Sequence, residues 1–126
     1  MILLIGGAYQ GKLAYAKENF RLSENDIYTC CEDRALIDFS KQCIDHLEEF
    51  TFACVRNQID SVEYFLEHRK EWADHILICQ DIFCGVVPLG AEMRAWRNET
   101  GHLCQYLSRE AKQVSRIFCG LEQRLK

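Results

Sequence analysis

The first twenty residues constrain the fold of this chain more than any other part of it. Four apolar residues, "ILLI" at positions 2–5, run into the glycine-rich segment "GGAYQGK", and Leu13, Ala16 and Phe20 then follow at helical spacing. This pattern predicts a buried strand, a glycine loop and a helix, in that order. The same order is the context in which a G-x4-G-K sequence forms a phosphate-binding loop.

Phosphate binding is the function that this loop predicts. Its glycines permit a turn in which main-chain N–H groups face an anion, and the start of the following helix adds its dipole. Lys12 would bring a positive charge to the β- and γ-phosphates, whereas Leu13 stands where a Ser or Thr would bind Mg²⁺. The predicted phosphate-binding residues are Gly6, Gly7, Ala8, Tyr9, Gln10, Gly11, Lys12 and Leu13. The alternative is an ordinary glycine-rich connection with an exposed lysine.

An acidic residue follows the most apolar internal segment. Asp81 ends "ILICQD", and ligand-facing residues of open α/β sheets lie at the carboxyl ends of their strands. Asp81 is therefore predicted to bind Mg²⁺ or to act as a base, with Lys12 as its catalytic partner. A turn-forming aspartate is the alternative reading of this position.

The remaining segments alternate between strand and helix patterns. The sequence predicts a strand at "IYTCC", an interrupted helical region over 33–57, and a helix whose N-cap is Asp60. It then predicts a strand at "HILICQD", a long helix over 90–111, a last strand at "QVSRIFCG" and a tail at "LEQRLK". This order predicts a single α/β domain over 1–126, with three layers and a mainly parallel sheet.

Charge and hydropathy exclude several classes of function. The net charge is −4 and no long run of Lys or Arg occurs, which argues against non-specific nucleic-acid binding. No apolar stretch approaches the roughly 18 to 20 residues of a membrane span, and the start of the chain lacks the features of a secretory signal. A cytoplasmic protein is therefore expected.

The eight cysteines lack the C-x2-C spacing of a zinc ribbon. Several lie in apolar runs, and "HILICQDIFCGVV" and "RIFCG" are predicted to be buried strands in which cysteine acts as a small hydrophobe. Reduced, structural thiols are therefore expected, with metal or redox roles as the alternatives.

Histidine and arginine supply the other candidates. The four histidines are spread too widely to predict a metal site, and His46, next to Asp45, is expected at a surface or a helix end. Arg94 and Arg97 are three residues apart on the predicted long helix, so they share a face that suits phosphate. A solvated basic edge is the alternative for these arginines.

Two stretches together go beyond a generic phosphate loop. "IGGAYQGK" is joined by "ILICQDIFCGVVPLGAEMRAWRNETGHLCQYLSREAKQVSRIFCGLEQRLK", and the pair resembles the bifunctional adenosylcobinamide kinase / adenosylcobinamide-phosphate guanylyltransferase family. The family's G-G-x-x-S-G-K-S loop corresponds to residues 6–13. Its Asn-Glu pair, G-x-V/I-P and R-x-F-R-D segments correspond to Gln80-Asp81, residues 85–88 and residues 94–98.

The resemblance implies a P-loop NTPase-like fold and a role in cobalamin biosynthesis. It implies phosphorylation of the aminopropanol hydroxyl of adenosylcobinamide, a small-molecule corrinoid, with GTP or ATP and Mg²⁺. It also implies GMP transfer through a guanylylated histidine, and a homo-oligomer. By position, residues 6–12 would hold phosphates, Asp81 would take the acidic role, and Arg94 and Arg97 would contact nucleotide or corrin.

Two departures from the family pattern keep a second hypothesis open. Leu13 replaces the loop hydroxyl. The His- and Arg-rich segment that carries the guanylylated histidine has no counterpart, since the one histidine of residues 31–50, His46, has no flanking arginines. The sequence thus predicts a kinase-like protein without guanylyltransferase activity. The alternative is a catalytically degenerate partner protein that binds a nucleotide or a corrinoid.

Overall fold

The computed structural model describes residues 1–86 and 89–126, and these form one six-stranded sheet with helices on both faces. Val87 and Pro88, which belong to the segment 85–88 that corresponds to the family's G-x-V/I-P, lie outside the described residues. The strands are β1 (Ile2–Gly6), β2 (Ile27–Thr29), β3 (Cys43–Asp45), β4 (Ile76–Gln80), β5 (Gln113–Phe118) and β6 (Leu121–Arg124). The helices are α1 (Lys12–Phe20), a 3-10 turn (Glu24–Asp26), α2 (Leu47–Arg56), α3 (Ser61–Glu67), α4 (Arg69–Trp72) and α5 (Ala91–Glu110).

The strand order is β2-β3-β4-β1-β5-β6, and every neighbouring pair is parallel except β5 and β6. The carboxyl ends of β1, β3 and β4 therefore meet at one edge of the sheet, which is where open α/β sheets bind their ligands. The predicted α/β class, with its mainly parallel sheet and P-loop NTPase-like fold, is confirmed.

Side chains of successive residues in a strand point to opposite faces, and two apolar cores result. Leu3 packs in a cluster with Phe50 of α2 and Leu107 of α5. Leu4 packs on the other face with Ala16 of α1. The sheet therefore lies between two helical layers, as the three-layer prediction requires.

Three elements differ from the sequence prediction. The region 33–57, predicted as an interrupted helix, contains β3, whose three residues are too few to display an alternating pattern. The predicted tail pairs with β5 as the antiparallel strand β6. The predicted helix after Asp60 is divided into α3 and α4 at His68.

The predicted N-cap of α3 is confirmed, because the Asp60 carboxylate accepts hydrogen bonds from the N–H groups of Val62 and Glu63 at 2.9 and 3.2 Å. This contact satisfies two of the N–H groups that a helix leaves without partners at its start.

All eight cysteines are free thiols. Cys30, Cys43, Cys54 and Cys79 are buried, and burial raises the pKa of Cys43 and of Cys54 to about 12, which makes these thiols unreactive. The prediction of buried strands around Cys84 and Cys119 was wrong, because both side chains are exposed in connections that follow β4 and β5.

None of the helices in the described ranges combines the length and the apolar content that crossing a membrane requires.

Candidate functional site

The glycine loop, residues 6–12, has the backbone shape of an anion cup. Tyr9 and Gly11 adopt left-handed conformations, with φ of 59° and 90°, between residues of negative φ. Such alternation turns successive N–H groups toward one concave side. The N–H groups of residues 8–13 make no hydrogen bond to the described part of the chain. They are therefore available to an anion at the start of α1.

Two glycines of the loop are required by geometry. A Cβ atom on Gly6 would lie 2.4 Å from the main-chain oxygen of Ile117 in β5, and Gly11 has the positive φ that side chains disfavour. Gly7 differs, because a Cβ there would meet nothing nearer than Gln10 Cγ at 3.6 Å.

Lys12, the first residue of α1, folds back over the loop and donates a hydrogen bond from Nζ to the Gly7 oxygen at 2.7 Å. Its ammonium group thus lies beside the free N–H groups of the cup. A bound phosphate there would meet a positive charge, main-chain donors and the helix dipole together.

The turn between β5 and β6 is fastened to the loop through Gln10. The Cys119 N–H donates to Gln10 Oε1 at 2.7 Å, and the Gly120 N–H donates to the Gln10 main-chain oxygen at 2.8 Å. Cys119 and Gly120 both have positive φ, at 53° and 75°, as in a tight hairpin turn of type I′. The turn that ends the predicted strand "QVSRIFCG" therefore supports the loop.

Replacing Gln10 by alanine is expected to remove only the side-chain half of this attachment. We expect faster hydrogen exchange at the Cys119 N–H and little change at the Gly120 N–H, with a loss of about 1 kcal/mol in the free energy of unfolding. Exchange measured by NMR tests this. Equal changes at the two amides would contradict it, because the main-chain bond to Gly120 does not depend on the side chain.

A cleft of about 430 Å³ opens between the loop and the carboxyl edge of the sheet. Residues 8–14 line one side of it, apart from Gln10, and Asp45, His46 and Gln80 line the other. Because β4 lies between β1 and β3, the cleft spans the ends of three neighbouring strands.

The sheet side of the cleft is acidic and was not predicted. Asp45 ends β3 with its side chain only 7% exposed, and Oδ1 accepts a hydrogen bond from the His46 N–H at 2.8 Å. Glu48, in the first turn of α2, is 3% exposed; its Oε1 lies 2.8 Å from His46 Nδ1, and its Oε2 accepts from the Gln80 N–H at 3.1 Å. His46 itself has a left-handed backbone, with φ of 59°.

These surroundings shift the pKa values of Asp45 and His46. Burial raises the pKa of Asp45, and the nearby positive charges of His46 and Lys12 oppose that shift only in part. Burial lowers the pKa of His46, but its hydrogen bond to Glu48 and the charges of Asp45, Glu48 and Glu49 outweigh burial, so the net shift is upward.

Replacing Asp45 by asparagine is expected to stabilise the fold at pH 7, by about 3 °C in the unfolding midpoint. The folded-state pKa of Asp45 lies above its unfolded value, so folding favours the protonated carboxyl and the ionised group is destabilising above that pKa. The advantage of the variant should shrink as the pH falls and Asp45 takes up a proton. Thermal unfolding of both proteins across pH 4 to 8 tests this; a less stable variant at pH 7 would contradict it.

Asp81 lies beside the loop but turns its side chain elsewhere. Its N–H donates to the Gly6 oxygen at 2.7 Å, while its carboxylate accepts from the Phe83 N–H at 2.9 Å and lies 3.6 Å from the Cys84 thiol. Asp81 is not among the described residues that line the cleft. Its catalytic and metal-binding roles stay predictions.

Arg94 and Arg97 bind the connection between β4 and α5. The Arg97 guanidinium donates to the main-chain oxygens of Phe83 and, at 3.1 Å, Val86, and Arg94 donates to that of Leu89. Neither arginine lines the cleft among the residues that the structure describes. Their contact with a nucleotide or a corrin stays a prediction.

The side chains near the cup do not fit a resident Mg²⁺ ion. Leu13 offers no ligand atom, the Asp81 carboxylate is hydrogen-bonded within its own connection, and both Asp45 oxygens face His46, with Oδ2 at 3.7 Å from Nε2. Within 1–86 and 89–126, no three His, Cys, Asp or Glu side chains are grouped as a metal site. Among the described residues that line the cleft, Lys12 is the one that carries a permanent positive charge.

The sequence held a signal for the missed residues. "CIDHLEEF" places an aspartate directly after a short apolar run and before a helix, but the prediction includes that run in the helical region 33–57. Recognition of β3 would have placed Asp45 and His46 at the carboxyl edge beside the loop.

Comparison with known proteins gives the family. The chain has no match among the curated proteins. A family model described as cobinamide kinase / cobinamide phosphate guanyltransferase matches residues 32–125, a segment that includes β3, β4 and α5 and begins after the glycine loop. The chain therefore belongs to the cobinamide kinase / cobinamide phosphate guanyltransferase family, which acts in cobalamin biosynthesis.

Proposed function

We propose that this chain binds a nucleoside triphosphate, GTP or ATP, in the glycine loop and transfers its terminal phosphoryl group to the aminopropanol hydroxyl of adenosylcobinamide. The free N–H groups of residues 8–13 and the Lys12 ammonium would hold the β- and γ-phosphates. The acceptor would enter from the sheet side of the cleft, toward Asp45 and His46. Catalysis would come from alignment of the two reactants and neutralisation of the transferred charge.

One observation carries this proposal: the amide-lined loop and Lys12 share a single cleft with a buried carboxylate at the end of β3, which is separated from β1 by β4. Six consecutive N–H groups without a partner in the described chain, at the start of a helix and facing an ionisable group across a cleft, suit an anionic ligand. The family match supports the acceptor, since it covers the residues on the sheet side of the cleft.

The test combines binding and turnover. Isothermal titration with GTP and with ATP, each with and without Mg²⁺, measures the affinity, and incubation with adenosylcobinamide then measures phosphorylated product. Binding followed by transfer supports the proposal. The absence of triphosphate binding under all four conditions would overturn the site, and binding without product would overturn the kinase activity alone.

Leu13 favours a second candidate, a catalytically degenerate nucleotide- or corrinoid-binding partner protein. Without the hydroxyl at this position, the loop keeps its anion-binding amides but loses a ligand for the metal that accompanies the triphosphate. Tight binding that does not depend on Mg²⁺, with no product from adenosylcobinamide, is the result that this candidate predicts.

Guanylyltransferase activity is not part of the proposal, because residues 31–50 lack the His- and Arg-rich segment. Incubation with GTP labelled in its α-phosphate is expected to give no acid-labile protein adduct. The corrinoid substrate, a homo-oligomeric assembly and a cytoplasmic location remain predictions from the family resemblance and the sequence.

A further inference from the structure

We propose that His46 is a catalytic residue of the phosphoryl transfer, accepting the proton of the acceptor hydroxyl at Nε2, and that Glu48 is the positioning residue that orients its ring. This inference rests on the proposed function and assigns a role to two residues on the sheet side of the cleft.

The orientation of the ring follows from Glu48. Its Oε1 lies 2.8 Å from Nδ1, so Nδ1 carries the proton and Nε2 is left as the acceptor of a neutral imidazole. Glu48 is itself held, because Oε2 accepts from the Gln80 N–H and its main-chain oxygen accepts from Trp96 Nε1 at 2.7 Å and from the Thr51 hydroxyl at 3.0 Å. The Gln80 N–H thus holds the carboxylate and two further hydrogen bonds hold the main chain, so this side chain, buried to 3% exposure, fixes the ring that it contacts.

The position of the ring suits a substrate. The His46 side chain is 45% exposed and lines the cleft that Lys12 also lines. Its left-handed backbone, which costs about 1 kcal/mol in a residue other than glycine, places the ring where β3 meets α2. Strain of this kind is found where the surrounding structure enforces a functional geometry.

The charges around His46 suit a proton acceptor. The charged side chains near it come from three elements: Asp45 from the end of β3, Glu48 and Glu49 from α2, and Lys12 from α1. The side chain that β4 adds to the cleft, Gln80, is neutral. Burial lowers the pKa of the imidazole, but the hydrogen bond to Glu48 and the charges of the three acids outweigh it, so the net shift is upward. The best general base is one whose pKa lies near the working pH. Once protonated, Nε2 would face Asp45 Oδ2, now 3.7 Å away.

The step balances as an ordinary phosphoryl transfer. The hydroxyl oxygen of the acceptor forms a bond to the γ-phosphorus, the bond from that phosphorus to the β,γ-bridging oxygen breaks, and the nucleoside diphosphate leaves. The hydroxyl proton moves to His46 Nε2 and then to solvent. Glu48 keeps its negative charge throughout.

The first measurement needs no turnover. In a long-range ¹⁵N NMR spectrum above the pKa of His46, Nδ1 is expected to be protonated and Nε2 bare. In Glu48→Gln the pKa of His46 is expected to fall, because the variant removes a negative charge that raises it. A proton on Nε2 in the wild type, or an unchanged pKa in the variant, would overturn the assignment.

The second measurement uses transfer from GTP or ATP to adenosylcobinamide. His46→Gln is expected to lower kcat about 100-fold with triphosphate affinity unchanged, whereas His102→Gln, a change at an exposed histidine of α5, should leave kcat unaltered. In Glu48→Gln the acid limb of the pH–rate profile should move to lower pH, a shift that a merely structural role would not cause. Full activity of His46→Gln, or a covalent nucleotide on His46, overturns this inference alone. A wild type that binds nucleotide without transfer overturns the proposed kinase activity and this inference together.

Discussion

Replacing Lys12 by alanine is expected to weaken the binding of GTP or ATP by about 10- to 100-fold, the loss typical of a hydrogen bond to a charged group. The reason lies in the position of Nζ, which is 2.7 Å from the Gly7 oxygen. It lies beside the N–H groups of residues 8–13, which make no hydrogen bond to the described part of the chain. The ammonium is the positive charge on the loop side of a cleft whose sheet side carries Asp45, with the buried Glu48 in contact with His46 of that side. Without it, a triphosphate would meet those carboxylates with only main-chain dipoles to offset the repulsion.

The matched control is Lys17→Ala, because it removes the same charge from the same helix. Lys17 pairs with Glu24 and does not line the cleft among the residues described. Isothermal titration of both variants, with circular dichroism to verify folding, measures the difference. Equal affinities for wild type and Lys12→Ala would contradict the phosphate site. An equal loss of affinity in both variants would show that the effect comes from the net charge of the protein.

The beginning of the chain could be predicted because its signals are local. Residues close together in the sequence predict three features there. These are a strand of apolar residues, a turn with glycines at positions 6 and 11, and a helix that begins at Lys12. The resemblance to the family extended the prediction to the strand and the helix near the carboxyl end of the chain. The parallel sheet then followed from the alternation of elements, since parallel strands need a crossover connection.

The acidic side of the cleft was not predictable in the same way. β3 is three residues long, and its strand character comes from pairing with β2 and β4, contacts that no local pattern contains. Glu48 would ordinarily be assigned to the solvent side of a helix start, yet the turn at His46 and the end of β4 bury it. For the same reason Asp81 was the expected acid: it follows a recognisable strand, but its own connection engages the side chain.

Replacing Gly6 by alanine is expected to destabilise the fold by about 3 kcal/mol, the upper part of the range for overpacking. The added methyl would lie 2.4 Å from the Ile117 main-chain oxygen, and that oxygen belongs to β5, which pairs directly with β1. A backbone atom in the middle of a sheet cannot move aside as the end of a flexible side chain can. The two strands would have to separate at the point where the glycine loop begins.

Gly7→Ala is the matched control for this prediction. The substitution is chemically identical and lies one residue further along the chain, but its Cβ would meet only Gln10 Cγ at 3.6 Å, an ordinary contact. Its effect on the free energy of unfolding should stay within about 0.5 kcal/mol. Urea unfolding of the two variants decides between them. If both lose the same stability, the requirement at Gly6 is general glycine flexibility in the loop and not the close approach of β5. If only Gly6→Ala loses stability, the start of the glycine loop owes its position to the close packing of β1 against β5.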